Sequence, residues 1–137
     1  MMMANELEKN TVRFIDANKE CLEFLARHYF DPAVTCHDQN SSCPRIEDTL
    51  RFIERNFERE EFLIRASGYK AFDEHKKDHE VLTKALKRIQ KKFKCNEYDN
   101  AIVVDEIKKW ISRHTAEFDH DFIQYWAENN GLSKLSE

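Results

Sequence analysis

The chain has 137 residues, enough for one domain with one hydrophobic core. Charged residues make up 35% of it while only two glycines and two prolines occur, a composition that favours long helices over turn-rich sheets. The formal net charge of -4 has mixed sign, and the basic run over residues 84–94 alternates with apolar residues, which indicates a solvated helix face rather than a nucleic-acid surface.

The sequence contains no candidate membrane segment. No stretch approaches the ~20 apolar residues of a membrane span, and residues 1–9 lack the apolar core of a signal peptide. We therefore predict a cytoplasmic protein with no membrane and no nucleic-acid partner, whose four cysteines are reduced.

Apolar residues recur at helical spacing in four segments, which in chain order cover residues 12–30, 44–66, 71–93 and 101–129. Pro44 is a favoured first-turn residue for the second helix, and Gly68 is a stop signal after it. The short connections on either side of the third helix predict an all-α, antiparallel up-down-up-down four-helix bundle. We expect one domain over residues 1–130 and a loose tail over 131–137.

Polar side chains interrupt the apolar stripes of these helices at positions where burial requires a partner. His75 and His79 are four residues apart, so both imidazoles project from one helix face about one turn apart. With His114 and Glu60 on facing helices, the pair favours a metal ion over core histidines satisfied by neighbours. Asp119 follows His114 by five residues, about 140° around an α-helix, so we expect it to reach the ion from another side.

The spacing of these residues resembles that of the hemerythrins, especially the bacterial ones, over about residues 12–127. The motifs that carry the resemblance are Ile15-Asp16, Phe57-x-x-Glu60-Glu61, Gly68-Tyr69, His75-x3-His79 and Trp110-x3-His114-x4-Asp119. The resemblance implies a four-helix bundle with two non-heme irons, one held by three histidines of the third and fourth helices. The other iron takes one histidine from each of the first two helices and binds dioxygen at its open position. A glutamate, an aspartate and an oxygen bridge join the two irons.

This sequence keeps only part of that ligand set. By resemblance, five positions retain metal ligands: Glu60, His75, His79, His114 and Asp119. The two histidines of the gas-binding iron are replaced by Lys19 and Asn56. We predict a site with one ion, in which the Lys19 ammonium compensates charge and Asn56 hydrogen-bonds a carboxylate or a water. The alternative is that Lys19 extends to solvent along its stem and Asn56 lies at the bundle surface.

Three imidazoles with one or two carboxylates suit iron, zinc or manganese, and the resemblance favours iron, as one or two ions per chain. The predicted function is that of a hemerythrin-like, non-heme metal-binding protein in oxygen, nitric oxide, redox or metal sensing or handling. Its expected partners are a metal ion or a small diatomic ligand, and a protein that receives the signal. Binding is favoured over enzymatic activity. The alternatives are a di-iron oxygen-binding protein, a non-heme iron peroxidase with Lys19 as proton donor, and a metal-free interaction bundle.

The remaining candidates carry weaker signals. Cys36 and Cys43 lie with a histidine and an aspartate in the loop between the first two helices, and their spacing matches no common zinc module. A solvated loop with two thiols is favoured over a metal clip or a redox pair. We expect His28 at a helix end, where the dipole favours a cation, and His120 in a second shell or at the surface.

Overall fold

The computed structural model describes residues 2–30 and 44–130, with side chains from residue 11 onward except those of residues 29 and 130. Its five α-helices are α1 Met2–Phe24, α2 Pro44–Ala66, α3 Phe72–Gln90, α4 Glu97–His114 and α5 His120–Asn130. Two π-helical turns continue α1 over Leu25–Tyr29 and join α4 to α5 over Thr115–Asp119. The described residues 2–30 and 44–130 contain no strand, which confirms the predicted all-α class. None of the helices described there is long and apolar enough to cross a membrane.

The second helix has the bounds that the sequence predicts, whereas two others begin earlier than expected. The fourth begins at Glu97 rather than at 101, because the Asn96 side chain accepts a hydrogen bond from the Asp99 N–H at 2.7 Å and caps the helix. The first begins at Met2 rather than at 12, through a segment rich in helix-forming residues. The predicted loop with Cys36 and Cys43 and the predicted tail over 131–137 lie outside the described residues.

The single helix predicted over 101–129 is in fact interrupted by the π-helical turn Thr115–Asp119. Such a turn closes hydrogen bonds between residues five apart and so accommodates one more residue than an α-turn. The helix presents its apolar face to the core both before and after this turn, since Trp110 and His114 are buried before it and Phe122 is buried after it. The turn therefore changes the spacing of the stripe without changing the face that meets the core.

The π-helical turns join the helices into four continuous segments, namely α1 with its turn, α2, α3, and α4 with α5. The apolar core of these segments is divided into two clusters, and buried polar residues lie between the two clusters. The larger cluster includes Leu22, Phe57, Leu82 and Trp110, one from each segment. The smaller consists of Ile15, Ile64 and Phe122, with Tyr69, Phe72, Ile123, Tyr125 and Trp126 packed against it. In every segment the residues between the two clusters include at least one buried polar side chain. The fold thus places polar groups from all four segments at one level of the bundle.

Candidate metal centre

Between the two apolar clusters, four buried side chains each bring one donor atom to the same place in the bundle. They are Glu60 of α2, His75 and His79 of α3, and His114 of α4, and their donor atoms all lie within 4.8 Å of one another. Glu60 Oε1 lies 3.0 Å from Nε2 of His75 and 3.0 Å from Nε2 of His79. An ion with ligands at ~2.1 Å in octahedral geometry holds neighbouring donors ~3.0 Å apart. This cluster therefore has the composition and dimensions of a site that could hold a metal ion.

Asp119 joins the cluster through two of its histidines. Its Oδ1 lies 3.0 Å from His114 Nε2 and 3.3 Å from His75 Nε2. The expectation that Asp119 lies about 140° from His114 is wrong for this segment, since it assumed an uninterrupted α-helix. The π-helical turn Thr115–Asp119 places residues five apart on the same face.

The outer nitrogens of two of the histidines face further carboxylates. His79 Nδ1 lies 2.7 Å from Glu61 Oε2, and His114 Nδ1 lies 2.6 Å from Asp78 Oδ2. Such contacts fix which ring nitrogen carries the proton, so that the other nitrogen can present its lone pair to an ion.

Asp78 is itself fixed by two groups of α4. Its Oδ1 is 2.6 Å from Arg113 Nη2, and its main-chain carbonyl accepts a hydrogen bond from Trp110 Nε1 at 2.9 Å. The carboxylate is 6% exposed, so the guanidinium is its nearest source of positive charge on the outer side. The result is a series of contacts from Arg113 through Asp78 and His114 to the centre of the cluster.

Two of the imidazoles are each set between two carboxylates, which creates an electrostatic conflict in their neutral forms. A neutral imidazole has one N–H, so with Nδ1 donating to Asp78 the His114 Nε2 presents a lone pair. That atom lies 3.0 Å from Asp119 Oδ1, yet neither atom has a hydrogen-bond partner in the described part of the chain. His79 is placed in the same way between Glu60 and Glu61. Buried lone pairs that face each other need a cation or a proton between them.

In the metal-free state, protons on His75 and His79 supply part of this positive charge. Burial would lower the pKa of His75, but the nearby carboxylates of Asp119 and Glu60 outweigh burial and raise the pKa to about 9. The pKa of His79 is also raised, because hydrogen bonds with Glu60 and Glu61 outweigh burial. Burial would raise the pKa of Glu60, but hydrogen bonds with His75 and His79 hold it well below its ordinary value. A metal ion would therefore compete with protons for these nitrogens.

Aromatic rings enclose the imidazoles. The Phe57 ring stacks on that of His79 with centroids 3.9 Å apart, and the Trp110 ring stacks on that of His114 at 4.1 Å. Phe118 lies nearly parallel to the His114 ring with centroids 5.3 Å apart. These contacts restrict ring rotation and keep water away from the donors, which strengthens electrostatic interactions within the cluster.

The structure corrects the interpretation of Lys19. Its ammonium lies 3.9 Å from Glu23 Oε1, and its side chain is 40% exposed. Asn18, one residue earlier, is buried and donates from Nδ2 to Glu60 Oε2 at 2.9 Å. Asn56 takes part through its main-chain carbonyl oxygen, which lies 3.4 Å from the same Nδ2. The group beside Glu60 on the α1 side is therefore a neutral amide rather than an ammonium.

Sequence reasoning missed Asn18, Glu61, Asp78 and Arg113 as members of the site. Asp78 had a usable signal, since it lies three residues after His75 and so shares its helix face. Asn18 had a weaker one, because the heptad-like spacing of α1 points to position 19, although position 18 also lies near the stripe, three residues after the buried Ile15. Glu61 and Arg113 adjoin ligand positions, and sequence alone does not show which way they point.

The other sequence candidates lie away from the cluster. His28 and His120 are exposed, with His120 Nδ1 3.8 Å from Asp121 Oδ1. Cys95 is buried and accepts a hydrogen bond from Arg45 Nη1 at 3.0 Å. Cys36 and Cys43 belong to the residues that the structure does not describe.

No protein-family model matches the sequence, and no curated protein and no solved structure matches the chain. The resemblance to the hemerythrins consequently rests on the residue spacing given above.

Proposed function

We propose that this protein is a hemerythrin-like metal-binding protein that holds one non-heme ion, of the iron type, in its bundle core. The observation that carries the proposal is the placement of two buried imidazoles, each between two carboxylates. A helical core has no structural need for such a set, because apolar residues of similar volume fill the same space at lower electrostatic cost.

The proposed ligands are the inward atoms of the cluster. These are Nε2 of His75, His79 and His114, Oε1 of Glu60 and Oδ1 of Asp119. These five donors would hold the ion, and the ion would supply Lewis-acid or electron-transfer chemistry toward a small molecule.

Charge also favours an ion in this place. Four carboxylates, those of Glu60, Glu61, Asp78 and Asp119, lie within contact distance of the three histidine rings. Arg113 is the guanidinium that pairs with this group in the described part of the chain. With neutral imidazoles the group carries an excess of negative charge in a buried place, which a divalent or trivalent ion offsets.

The Asn18 amide supports a site with one ion rather than two. Its nitrogen cannot coordinate a metal, and it donates to Glu60 Oε2, the oxygen with which a bridging glutamate would bind a second ion. In the hemerythrin pattern that second ion would need ligands from the first two helices, where this chain has Lys19 and Asn56. We therefore assign Glu60 to the ion through Oε1 alone.

The order of the core residues supports the antiparallel up-down-up-down arrangement. Along α1 the chain passes from the smaller apolar cluster to the larger one, since Ile15 belongs to the first and Leu22 to the second. Along α2 it passes back, from Phe57 to Ile64. The third and fourth segments repeat this alternation, so successive helices run in opposite directions through the polar level.

Iron is the ion we favour, because a mixed set of imidazoles and carboxylates with an open position is typical of non-heme iron. Zinc and manganese accept the same donors and are alternative occupants. Such an ion would let the protein sense or handle oxygen, nitric oxide, redox state or the metal itself. A change at the ion would be passed on by contact with another protein.

Elemental analysis of the untagged protein tests the proposal directly. We expect about one mole of iron, zinc or manganese per mole of chain, and loss of that metal in His75→Ala and His79→Ala. His120→Ala is the matched control, since it removes an exposed histidine of the same protein. No metal after reconstitution with each of the three ions would refute the proposal and favour a metal-free interaction bundle. Two moles of iron would refute the single-ion assignment.

A further inference from the structure

Three phenylalanines are exposed on the outer sides of α1 and α2. Phe62 is 72% exposed, Phe24 60% and Phe52 45%. Among the residues that the structure describes, the only other exposed large apolar side chains are Val81 and Tyr98. Exposed apolar side chains that gather on one face commonly mark a contact with another protein.

The contacts between α1 and α2 determine which of these rings lie at the same height in the bundle. The Asn18 amide of α1 contacts both Asn56 and Glu60 of α2. The two helices run in opposite directions past the two apolar clusters, so a step forward on α1 corresponds to a step back on α2. Phe24 is therefore level with Phe52, and both lie about 15 Å along the helices from the height of residue 62.

The other end of this face carries a shallow groove. Phe14 of α1 lines it with Glu58, Arg59, Phe62 and Leu63 of α2, and its volume is about 390 Å³. Phe62 is largely exposed at the same place, so one patch presents both a projecting ring and a recess. A two-fold symmetric interface needs such a patch, because both copies use the same surface.

We propose that two copies of this chain associate through the outer face of α1 and α2 in a two-fold symmetric dimer. An axis parallel to the helices places α1 of one copy against α2 of the other at unchanged height. Phe62 of one copy then enters the groove beside Phe14 of the other, and Phe24 packs on Phe52 about 15 Å away. The two helix pairs pack as the helices of an antiparallel bundle do.

Charges between the two aromatic ends match in the same arrangement. Glu20 of α1 and Arg55 of α2 are exposed, and neither forms an ion pair in the described part of the chain. They lie at nearly the same height, so Glu20 of each copy faces Arg55 of the other. Opposite charges placed in this way select the partner and its orientation.

The face is large enough for a dimer contact. At roughly 200 Å² for a whole phenylalanine side chain, the exposed parts of the three rings amount to about 350 Å² per copy. A standard interface buries about 800 Å² per partner, and the exposed residues between the rings, which include Ala17, Arg55 and Arg59, add to the apolar part. No proposed metal ligand belongs to this face, so the inference goes beyond the proposed function and does not depend on it.

The mass of the protein in solution tests the dimer. Analytical ultracentrifugation at micromolar concentration should give twice the chain mass of 16.4 kDa. We expect Phe62→Asp to raise the dissociation constant of the dimer at least about thirtyfold, since it removes the central apolar contact and brings a charge to the groove. Val81→Asp is the matched control, because Val81 is an exposed apolar residue of α3, and it should leave the mass unchanged.

Charge reversal separates a contact between copies from an effect within one chain. Glu20→Arg alone and Arg55→Glu alone each set like charges opposite one another, and we expect each to weaken the dimer at least about tenfold. When the two variants are mixed, every contact again joins opposite charges, so a heterodimer of nearly wild-type affinity should form. Native mass spectrometry identifies it, since the two chains differ in mass. Mixing cannot restore a contact that lies within one chain.

A wild-type chain that remains monomeric up to millimolar concentration would overturn the proposal. A dimer that Phe62→Asp and both charge reversals leave unchanged would overturn this face as its interface. If Phe62→Asp lowers the helical content in circular dichroism, the mixed variants still decide, because a recovered dimer requires folded chains. Masses measured in chelator and after iron loading should agree, so failure of the dimer leaves the metal site standing, and a chain without metal leaves the dimer standing.

Discussion

His114 and Asp119 face the same point in the bundle core although five residues separate them, with Nε2 and Oδ1 3.0 Å apart. In an α-helix this separation turns through about 140° and would point Asp119 away from the cluster. The π-helical turn Thr115–Asp119 accommodates the extra residue and brings the carboxylate back. The last donor of the proposed centre therefore depends on an irregular turn, of a kind often found at functional sites.

Deletion of Ala116 tests this dependence. Without that residue the turn can close as an ordinary α-helix, and the aspartate follows His114 by four residues on the same face. We expect the metal content to stay at one ion per chain, the metal affinity to stay within about threefold, and the thermal stability to be equal or higher, measured by elemental analysis, chelator competition and circular dichroism. Deletion of Ser112, outside the turn, is the control and should abolish metal binding, since it rotates His114 relative to the preceding helix. Loss of metal in the Ala116 deletion would contradict this account.

Asp78 and Glu61 should determine metal affinity without contacting the ion. Each accepts a hydrogen bond from the outer nitrogen of a proposed ligand, and neutral replacements weaken both the orientation and the basicity of the ring. We expect Asp78→Asn and Glu61→Gln to lower the affinity by about tenfold to a hundredfold in chelator competition, at unchanged stoichiometry. Asp78→Asn should have the larger effect, because Asp78 is more buried and pairs with Arg113.

Asp105→Asn is the control for these variants, since Asp105 forms an exposed ion pair with Lys109 away from the cluster. An exposed pair of this kind contributes little to stability. Equal affinities in Asp78→Asn and Asp105→Asn would mean that the outer carboxylate has no influence on the ion.

Asn18 should determine how many ions the site holds. In Asn18→Asp a carboxylate faces Glu60 Oε2 where the amide donates now, and two buried carboxylates at that distance need a cation or a proton between them. We expect the variant to bind a second divalent ion, raising the stoichiometry from one to two in elemental analysis and titration calorimetry.

Asn18→Leu is the companion variant, because it removes the donor and supplies no ligand. We expect it to stay at one ion per chain and to lose about 1–3 kcal/mol of stability, since Glu60 Oε2 loses its buried partner. A stoichiometry of one in both variants would show that other features exclude the second ion.

The helical class, the bounds of α2 and the four-residue cluster were predictable from the sequence, because each depends on spacing within one helix or on the face that a stripe presents. The position of Asp119 was not, since one residue of π-helical geometry changes the angle of everything that follows. The sequence also did not predict that Asn18, and not Lys19, contacts Glu60. Neighbouring positions on α1 differ by about 100°, and the choice between them depends on how α1 packs against α2, which the pattern of one helix does not determine.

The stability of the metal-free protein should fall as the pH rises through the pKa of His75. This pKa is raised from an ordinary value of 6.5 to about 9, so the stabilisation by the protonated ring is complete below pH 6.5 and is lost by pH 9. At the acidic end the lowered pKa of Glu60 gives stability that is present above its ordinary value of 4.5 and is lost as the pH falls below that value. We expect melting temperatures in chelator to be highest between these limits.

Metal affinity should show the opposite slope on the alkaline side. The ion takes the place of the proton on His75, so its apparent affinity should rise between pH 6.5 and 9, by up to about tenfold per pH unit for each proton released. Chelator competition across this range gives the affinity, and calorimetry in buffers of different ionisation enthalpy counts the protons. Because the stabilisation of the fold grows with the logarithm of the metal affinity, the difference in melting temperature between loaded and metal-free protein should widen with pH. A difference that is constant from pH 6.5 to 9 would mean that no proton leaves the histidines, and that the ion binds elsewhere.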